Sequence, residues 1–195
     1  MKIIMISGKS GHGKDTAAQM MKDILEKQQQ RVLVIHFADL VKHYAFDYYN
    51  WDGQKQEAGR ALLQKIGTEM MRTHFPTYWA EIVGKFIAVA GQLNDFDYCL
   101  IPDWRFKNEF TTVYEYNTGI NPIYRVRVER NGYRNPAMTD EQFYHISETE
   151  LDNTDFDWLI DNHDDLTTLN SQVKLALLYI DTHSKTCYNK RKGEN

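Results

Sequence analysis

The sequence predicts a three-layer α/β fold, in which helices cover both faces of a mainly parallel five-stranded sheet. Short apolar runs of strand length alternate with segments whose apolar residues recur at helical spacing. The chain also opens with a strand, a glycine-rich turn and a helix start, an order typical of α/β proteins that bind phosphate at the turn. No internal repeat or linker divides the sequence, so we expect one domain over residues 1–183.

The glycine-rich turn has the spacing G-x-x-x-x-G-K from Gly8, and the apolar run at residues 3–6 supplies the buried strand before it. Glycines let the main chain wrap closely around a polyphosphate, and the free N–H groups at the helix start add partial positive charge. A lysine at the helix start can reach between the β- and γ-phosphates. The predicted polyphosphate-binding residues are Gly8, Lys9, Gly11, His12, Gly13, Lys14, Asp15 and Thr16.

Asp15 stands where this motif usually has Ser or Thr, whose hydroxyl binds Mg²⁺. A carboxylate beside phosphates is repulsive unless a cation lies between them. One hypothesis is therefore that Asp15 holds Mg²⁺, directly or through water, while Thr16 binds a phosphate further along the chain. The alternative is that Asp15 only places negative charge in the first helical turn.

Composition narrows the function classes. The 195 residues carry a formal net charge of -4, which argues against an extended surface for a nucleic-acid polymer. The two cysteines, Cys99 and Cys187, form no metal-ligand spacing or disulfide framework. The chain begins without a signal peptide and has no apolar run long enough to cross a membrane, so we expect a soluble, cytoplasmic protein. Residues 184–195 are polar and basic, and we expect a flexible tail there.

Four strands are expected after the first one. They lie at residues 31–37, 97–101, 123–128 and 157–162, and helical periodicity is found at residues 14–28, 40–49, 54–73, from Pro76 onward and at 165–182. Aromatic residues cluster near the end of the second helix, where a core role is favoured over a base-stacking wall. The cluster contains Phe46, Tyr48, Tyr49 and Trp51.

Several polar residues stand where a ligand could meet them. Asp39 follows the second strand and could cap the next helix or contact substrate. A polar row recurs at i+4 steps in the segment 54–73, and by itself it could be a solvated face or a phosphate clamp. Its members are Arg60, Gln64, Thr68 and Arg72.

Asp103 and Arg105 follow the third strand. We therefore expect them at the edge of the sheet at which the glycine-rich loop lies. An aspartate in that place suits a second carboxylate beside Mg²⁺ or a general base, and the arginine can reach a phosphate. The polar segment 129–152 has basic residues at its start. A segment of this length suits a lid that closes over phosphates and excludes water.

Four motifs in sequence order carry a resemblance to a known family. They are Gly13-Lys-Asp-Thr16, Gly59 through Arg72, Asp103 through Glu109, and His145 through Leu151 with residues 157–162. With these motifs the chain resembles, from residue 1 to about 180, the deoxynucleoside monophosphate kinases of bacteriophages. The resemblance implies a three-layer P-loop NTPase fold with strand order 2-3-1-4-5. It also implies substrate-binding helices at about 40–95 and a lid at about 129–152.

The resemblance implies ATP with Mg²⁺ as phosphate donor and a deoxynucleoside 5′-monophosphate as acceptor, in the host cytoplasm if a phage encodes the chain. It places Lys14, Asp103, Arg105 and the lid cation Arg130 in catalysis, with Arg134 as a further lid cation, and Asp15 and Asp103 beside the metal. Asn162 joins the glycine-rich loop at ATP. The predicted acceptor-binding residues are Asp39, Arg60, Gln64, Thr68, Arg72, Trp79, Arg105, Glu109, His145, Ser147 and Glu148.

Two other interpretations stay open. The first is another small-molecule kinase of similar build, of the dephospho-coenzyme A or phosphomevalonate type, and the Asp15 variant of the loop also suits the latter. The second is an ATP-binding regulatory module that transfers nothing. Whatever the function, an apolar patch on the helices between strands two and three could serve a homodimer.

Overall fold

The computed structural model of the protein describes residues 1–54 and 56–192, with side chains up to residue 183. The strands are β1 (Lys2–Ser7), β2 (Val32–Val34), β3 (Tyr98–Ile101), β4 (Ile123–Glu129) and β5 (Trp158–Asp161). The α-helices are α1 (Lys14–Lys27), α2 (Asp39–Tyr49), α3 (Glu57–Gln64), α4 (Met71–His74), α5 (Tyr78–Leu93), α6 (Lys107–Asn117), α7 (Asp140–Phe143), α8 (Ile146–Thr149) and α9 (Leu166–Lys192).

The five strands form one sheet in the order β2-β3-β1-β4-β5, and all four pairings are parallel. The predicted fold class and strand order are therefore confirmed. Central β1 pairs with β3 on one side and β4 on the other, so that Ile4 lies opposite both Leu100 and Tyr124. In an open parallel sheet, ligands bind beyond the carboxyl ends of such neighbouring strands.

The central strand is apolar throughout because both of its faces are covered. Ile4 and Ile6 point into a core formed with α1 and α9, whereas Ile3 and Met5 point into a second core formed with α5 and α6. All four side chains are completely buried. Burying both faces fixes the strand end, and with it the start of the glycine-rich loop.

The helical stretch expected over residues 54–73 is interrupted. A π-helical segment at Lys65–Met70 separates α3 from α4. Each four-residue step drifts by about 40° around an α-helix, so a polar row at i+4 spacing would turn away from one groove. The wider π turn offsets this drift. All four members of the predicted polar row consequently face the same cavity.

Three further expectations change at the level of local structure. Most of the aromatic cluster is not core, because Phe46 and Tyr48 are 62% and 71% exposed, whereas Trp51 is partly buried against a small core cluster. α5 begins at Tyr78, and Pro76 lies in the preceding turn, where its carbonyl accepts a hydrogen bond from the Asn108 amide at 2.8 Å. The last helix continues past Thr182, and the flexible tail expected at residues 184–195 lies outside the residues whose side chains are described.

None of the helices within the described part of the chain combines the length and apolar character that a membrane span requires.

Candidate active site

The glycine-rich loop joins β1 to α1 and presents backbone rather than side chains. Gly11 and Gly13 have φ values of +83° and +92°, which L-residues rarely adopt. A Cβ at Gly13 would lie 2.4 Å from Nδ2 of Asn162, and one at Gly11 would lie 2.6 Å from the ring of Tyr133. Both conformation and close packing thus require glycine, and the loop delivers its N–H groups at the start of α1.

Lys14, the first residue of α1, is buried although it carries a charge. Burial lowers the pKa of its ammonium, and the nearby Arg105 guanidinium lowers it further, while Asp15 acts in the opposite direction. The Nζ atom lies 3.9 Å from a carboxylate oxygen of Asp15. Lys14 and Arg105 are thus two cations close to each other, an arrangement typical of a site that receives an anion.

A cavity of about 410 Å³ lies beside Lys14. Its walls come from the glycine-rich loop, the β2–α2 loop, α3 with the π segment, the end of β3 and the lid. Most of the site residues predicted from the sequence meet here, although they are spread over 138 positions of the chain. Those lining the cavity are Gly11, Lys14, Asp15, Arg60, Gln64, Thr68, Arg72, Trp79, Asp103, Arg105, Glu109, Ser147 and Glu148.

Arg72 is held rigidly at the cavity wall. Its Nη2 contacts a carboxylate oxygen of Glu109, and its guanidinium carbon stacks 4.0 Å from the centre of the Phe106 ring. Its Nη1 is buried and has no hydrogen-bond partner among the described residues. A buried guanidinium nitrogen without a partner is costly, so this edge of Arg72 is suited to an anionic ligand.

Glu109 positions other groups and has little capacity left for substrate. It is fully buried and accepts hydrogen bonds from the backbone N–H groups of Arg105 at 2.8 Å and Phe106 at 3.0 Å, besides the contact with Arg72. Burial raises the pKa of its carboxyl to about 7, and Arg72 together with these N–H groups opposes a larger increase. We therefore assign Glu109 to the support of the arginines rather than to direct contact with a ligand.

Arg105 faces the lid across the cavity. Its Nη1 donates to the Ser147 carbonyl at 3.0 Å and contacts a carboxylate oxygen of Glu148. The other oxygen of Glu148 accepts the Ser10 N–H of the glycine-rich loop at 2.7 Å. The same lid residue therefore occupies a loop N–H and an arginine, which are the groups that a phosphate would use.

The two predicted metal-side carboxylates differ in their availability. Asp103 accepts the backbone N–H groups of Phe37 at 3.0 Å and Ala38 at 2.9 Å, and so ties the end of β3 to the β2–α2 loop. The Asp15 side chain is 76% exposed, and among the residues that the structure describes its one ion pair is the distant contact to Lys14. Among the described residues no three His, Cys, Asp or Glu side chains cluster around a metal site.

Other predicted residues lie beside the cavity rather than on its wall. Asn162 donates to the His12 carbonyl at 2.9 Å, and His12 Nδ1 accepts the Arg130 N–H at 3.1 Å, so both support the loop from behind. The Arg130 guanidinium stacks on the Tyr133 ring. The Arg134 guanidinium contacts Asp140.

Asp39 begins α2, and its carboxylate pairs with His36 and Lys42 at 3.2 and 2.9 Å. His145 caps α8 by accepting the Ser147 N–H at 3.2 Å. Trp79 lines the cavity but is buried, and its indole N–H donates to the Gly67 carbonyl at 3.2 Å. Their roles at substrate stay predictions.

Sequence reasoning missed several groups at the site. Met138 and Gln142 of the lid, His36 just before α2 and Lys42 within α2 line the cavity. Gln142 belongs to a capping box, a T-x-x-Q pattern that is visible in the sequence, but the pattern does not reveal where the side chain points. Arg127, in a strand whose other residues are mostly apolar, is also buried behind the glycine-rich loop.

The parallel sheet, the loop at the start of α1 and the cavity beside Lys14 define a P-loop kinase. The model of the deoxynucleotide monophosphate kinase family matches residues 38–173, and the chain belongs to this family. The match begins after the glycine-rich loop, so loop and family model are two separate indications of the same class. No curated protein sequence matches the chain.

Several solved structures share this fold, and three of them are kinases. The chain is similar to the Mycobacterium tuberculosis APS kinase CysC in complex with AMPPNP and APS, at 13% identity and a TM-score of 0.53, covering 92% of this chain and 97% of that one. It is also similar to a gluconokinase from Sinorhizobium meliloti, at 12% identity and a TM-score of 0.52, covering 97% of each chain. A sugar kinase from Janibacter gives 12% identity and a TM-score of 0.54 over 93% of this chain and 95% of that one. At such identities the likeness concerns the fold alone.

Proposed function

We propose that the protein transfers the γ-phosphoryl group of ATP to a deoxynucleoside 5′-monophosphate, giving the diphosphate and ADP. One observation carries the proposal. Lys14 of the glycine-rich loop and two arginines from other elements, Arg72 and Arg105, line one cavity. Family membership favours a nucleoside monophosphate as the molecule that the arginines hold.

In this mechanism an oxygen of the acceptor phosphate attacks the γ-phosphorus, and the bond from that phosphorus to the β–γ bridging oxygen breaks as ADP leaves. The loop N–H groups and Lys14 bind the donor phosphates. Arg105 and Arg72 hold the acceptor phosphate and reduce its repulsion with the donor. No protein nucleophile is needed, because positioning and charge neutralisation supply the catalysis.

The lid takes part by excluding water. Gln142, Ser147 and Glu148 line the cavity from the lid, and Arg60 Nη1 donates to the Ala137 carbonyl at 3.2 Å, which joins the lid to α3. A closed lid favours transfer to the bound acceptor over hydrolysis. The regulatory-module interpretation has no need for such an enclosure.

The residues present fit Mg²⁺ brought by ATP. The exposed Asp15 carboxylate and the cavity-lining Asp103 carboxylate are hard oxygen ligands near the phosphate loop. Mg²⁺ is usually bound by one or two carboxylates together with substrate phosphates and water, which agrees with the small number of acidic side chains here. When bound, the ion would neutralise charge that develops on the phosphates.

The test is a measurement of ADP release with ATP, Mg²⁺ and each of dGMP, dTMP, dAMP, dCMP, their hydroxymethylated forms and the ribonucleotides. We expect turnover with at least one deoxynucleotide, abolished in Lys14→Ala and retained in Lys22→Ala, a lysine on the same helix α1. If the protein instead phosphorylates phosphomevalonate or dephospho-coenzyme A, that molecule would replace the deoxynucleotide as the proposed acceptor. ATP binding without any transfer would favour the regulatory module.

A further inference from the structure

We propose that Arg127 and Asp152 are positioning residues that fix the closed lid on the phosphate loop. They belong to a network of four side chains, Ser7, Lys9, Arg127 and Asp152, named here the Arg127 network. None of the four was assigned this role by the sequence patterns. The inference rests on the proposed function, since it concerns the lid that closes over the phosphates.

Arg127 lies at the centre of the network and is buried in the sheet. Its Nη1 donates to Ser7 Oγ at 3.1 Å, and Ser7 is the last residue of β1, immediately before the glycine-rich loop. Its Nη2 donates to Asp152 Oδ1 at 2.9 Å. Its Nε lies 3.4 Å from Glu129 Oε1. The guanidinium therefore joins the base of the loop to both ends of the lid.

Asp152 extends the network to the loop itself. Its second oxygen, Oδ2, accepts a hydrogen bond from Lys9 Nζ at 2.8 Å. The same carboxylate thus bridges a buried arginine in β4 and a lysine inside the glycine-rich loop. Because Asp152 is the last residue of the lid, this bridge fixes the end of the lid against the loop.

The position of Asp152 determines where α8 lies. Glu148, four residues earlier, contacts Arg105 and accepts the Ser10 N–H. The Arg127 side chain is buried, whereas that of Asp152 is 32% exposed. Removing the Asp152 charge therefore leaves a buried guanidinium with less compensation, which is destabilising. Losing the Asp152 charge would therefore free the end of the lid. Ser147 and Glu148 would then no longer be held in position over the cavity.

The same strand offers a matched comparison. Arg125, two residues before Arg127, pairs with Asp157 at 3.1 Å and donates to the same carboxylate through its backbone N–H at 2.8 Å. This second Arg–Asp pair joins β4 to the start of β5 and touches neither the loop nor the lid. Asp157→Asn therefore makes the same chemical change as Asp152→Asn in a pair that lies away from the loop and the lid.

The experiment measures tryptic cleavage of the lid after Arg130 and Arg134 in the full chain with AMPPNP bound. We expect the Asp152→Asn lid to be cleaved at least about tenfold faster than the wild-type lid, since the buried Arg127 has lost the carboxylate that ties it to the lid end. Asp157→Asn should match wild type. Thermal unfolding of both variants separates lid opening from a general loss of stability.

A second readout is the rate of ATP hydrolysis without acceptor divided by the rate of transfer with acceptor. This ratio should rise in Asp152→Asn, because a misplaced lid admits water, whereas a purely structural role would lower both rates together. If Asp152→Asn does not fold, Lys9→Gln breaks the network from the loop side and should also accelerate lid cleavage, with Lys22→Gln as control.

The outcomes distinguish this inference from the proposed function. Equal lid cleavage in wild type and Asp152→Asn, or equal acceleration by Asp157→Asn, would overturn the role of the network whatever the acceptor is. A wild-type protein that phosphorylates no deoxynucleotide, combined with faster lid cleavage in Asp152→Asn, would refute the proposed acceptor and leave the network in place.

Discussion

The carboxylate of Glu148 accepts a hydrogen bond from the Ser10 backbone N–H at 2.7 Å and contacts the guanidinium of Arg105. Both partners are groups that bind phosphate in a P-loop kinase. Glu148 also lies near enough to Lys14 to raise the pKa of that ammonium against the effect of burial. The lid therefore supplies an anion to groups that bind phosphate, and an entering phosphate competes with it.

Glu148→Gln should bind AMPPNP several-fold more tightly in the absence of acceptor. The substitution removes a negative charge beside the glycine-rich loop and weakens the competition for the Ser10 N–H, which lies on the donor side of the site. Isothermal titration calorimetry measures the effect. Glu150→Gln is the control, because Glu150 accepts the Lys107 N–H at 2.8 Å and does not line the cavity. Unchanged or weaker binding in Glu148→Gln would contradict the competition.

Glu109 should make stability depend on pH. Its carboxyl has a pKa of about 7 in the folded protein because it is buried, against an ordinary value of 4.5. Between these values the folded state holds a proton that the unfolded state has lost. The free energy of unfolding therefore receives a contribution that is complete below pH 4.5 and is lost as the pH rises through 7, with a slope of up to about 1.4 kcal/mol per pH unit.

Glu109→Gln cannot titrate, so its unfolding free energy should lack this slope. Urea denaturation of both proteins between pH 4.5 and 8 measures the difference. The wild-type curve should fall relative to the variant up to about pH 7 and run parallel to it above. Curves that stay parallel over the whole range would show that the carboxyl is already ionised throughout and is held so by Arg72.

The fold could be predicted from the sequence because its signals are local. The G-x-x-x-x-G-K spacing, the apolar residues before it and the helical period after it each arise from neighbouring residues, and the sheet order followed from a resemblance in motif order. The row at Arg60 and Arg72 was visible as a spacing. Whether this row faced solvent or a cavity depended on the π turn, and no pattern of residues in the sequence predicted that turn.

Residues that act through distant contacts could not be predicted. Arg127 gave no signal because its partners Ser7 and Asp152 are 120 and 25 positions away in the chain. The aromatic cluster near Tyr48 was largely misjudged for the opposite reason. Composition favours a core, and only the packing of α2 shows that Phe46, Tyr48 and Tyr49 are exposed.

Gly13→Ala should impair both folding and ATP binding. The new Cβ would lie 2.4 Å from Nδ2 of Asn162. The alanine would also have to adopt a φ of +92°, which costs about 1–2 kcal/mol for an L-residue. Gly119→Ala separates the two causes, because Gly119 has a φ of +75° with no atom within 4 Å of an added Cβ. Thermal unfolding should show a larger loss for Gly13→Ala, and calorimetry should show lost AMPPNP binding in that variant alone. Equal losses of stability would show that Asn162 moves aside at little cost.

Arg105→Ala should lower the rate of phosphoryl transfer by roughly 100- to 1,000-fold, the usual cost of removing one group that stabilises transition-state charge. AMPPNP binding should weaken far less, because the loop N–H groups and Lys14 remain. Lys107→Ala, two residues further along, is the control. Steady-state kinetics with acceptor and calorimetry with AMPPNP separate the two effects.

The single variant leaves the Glu148 carboxylate without its arginine, and that buried charge could itself repel phosphate. The double variant Arg105→Ala/Glu148→Gln removes both partners. If Arg105 stabilises the transferring group, the double variant should stay as slow as Arg105→Ala, although its AMPPNP binding recovers. If transfer recovers in the double variant as well, the defect of Arg105→Ala came from the unpaired Glu148, and the part of Arg105 in the reaction is to neutralise the lid.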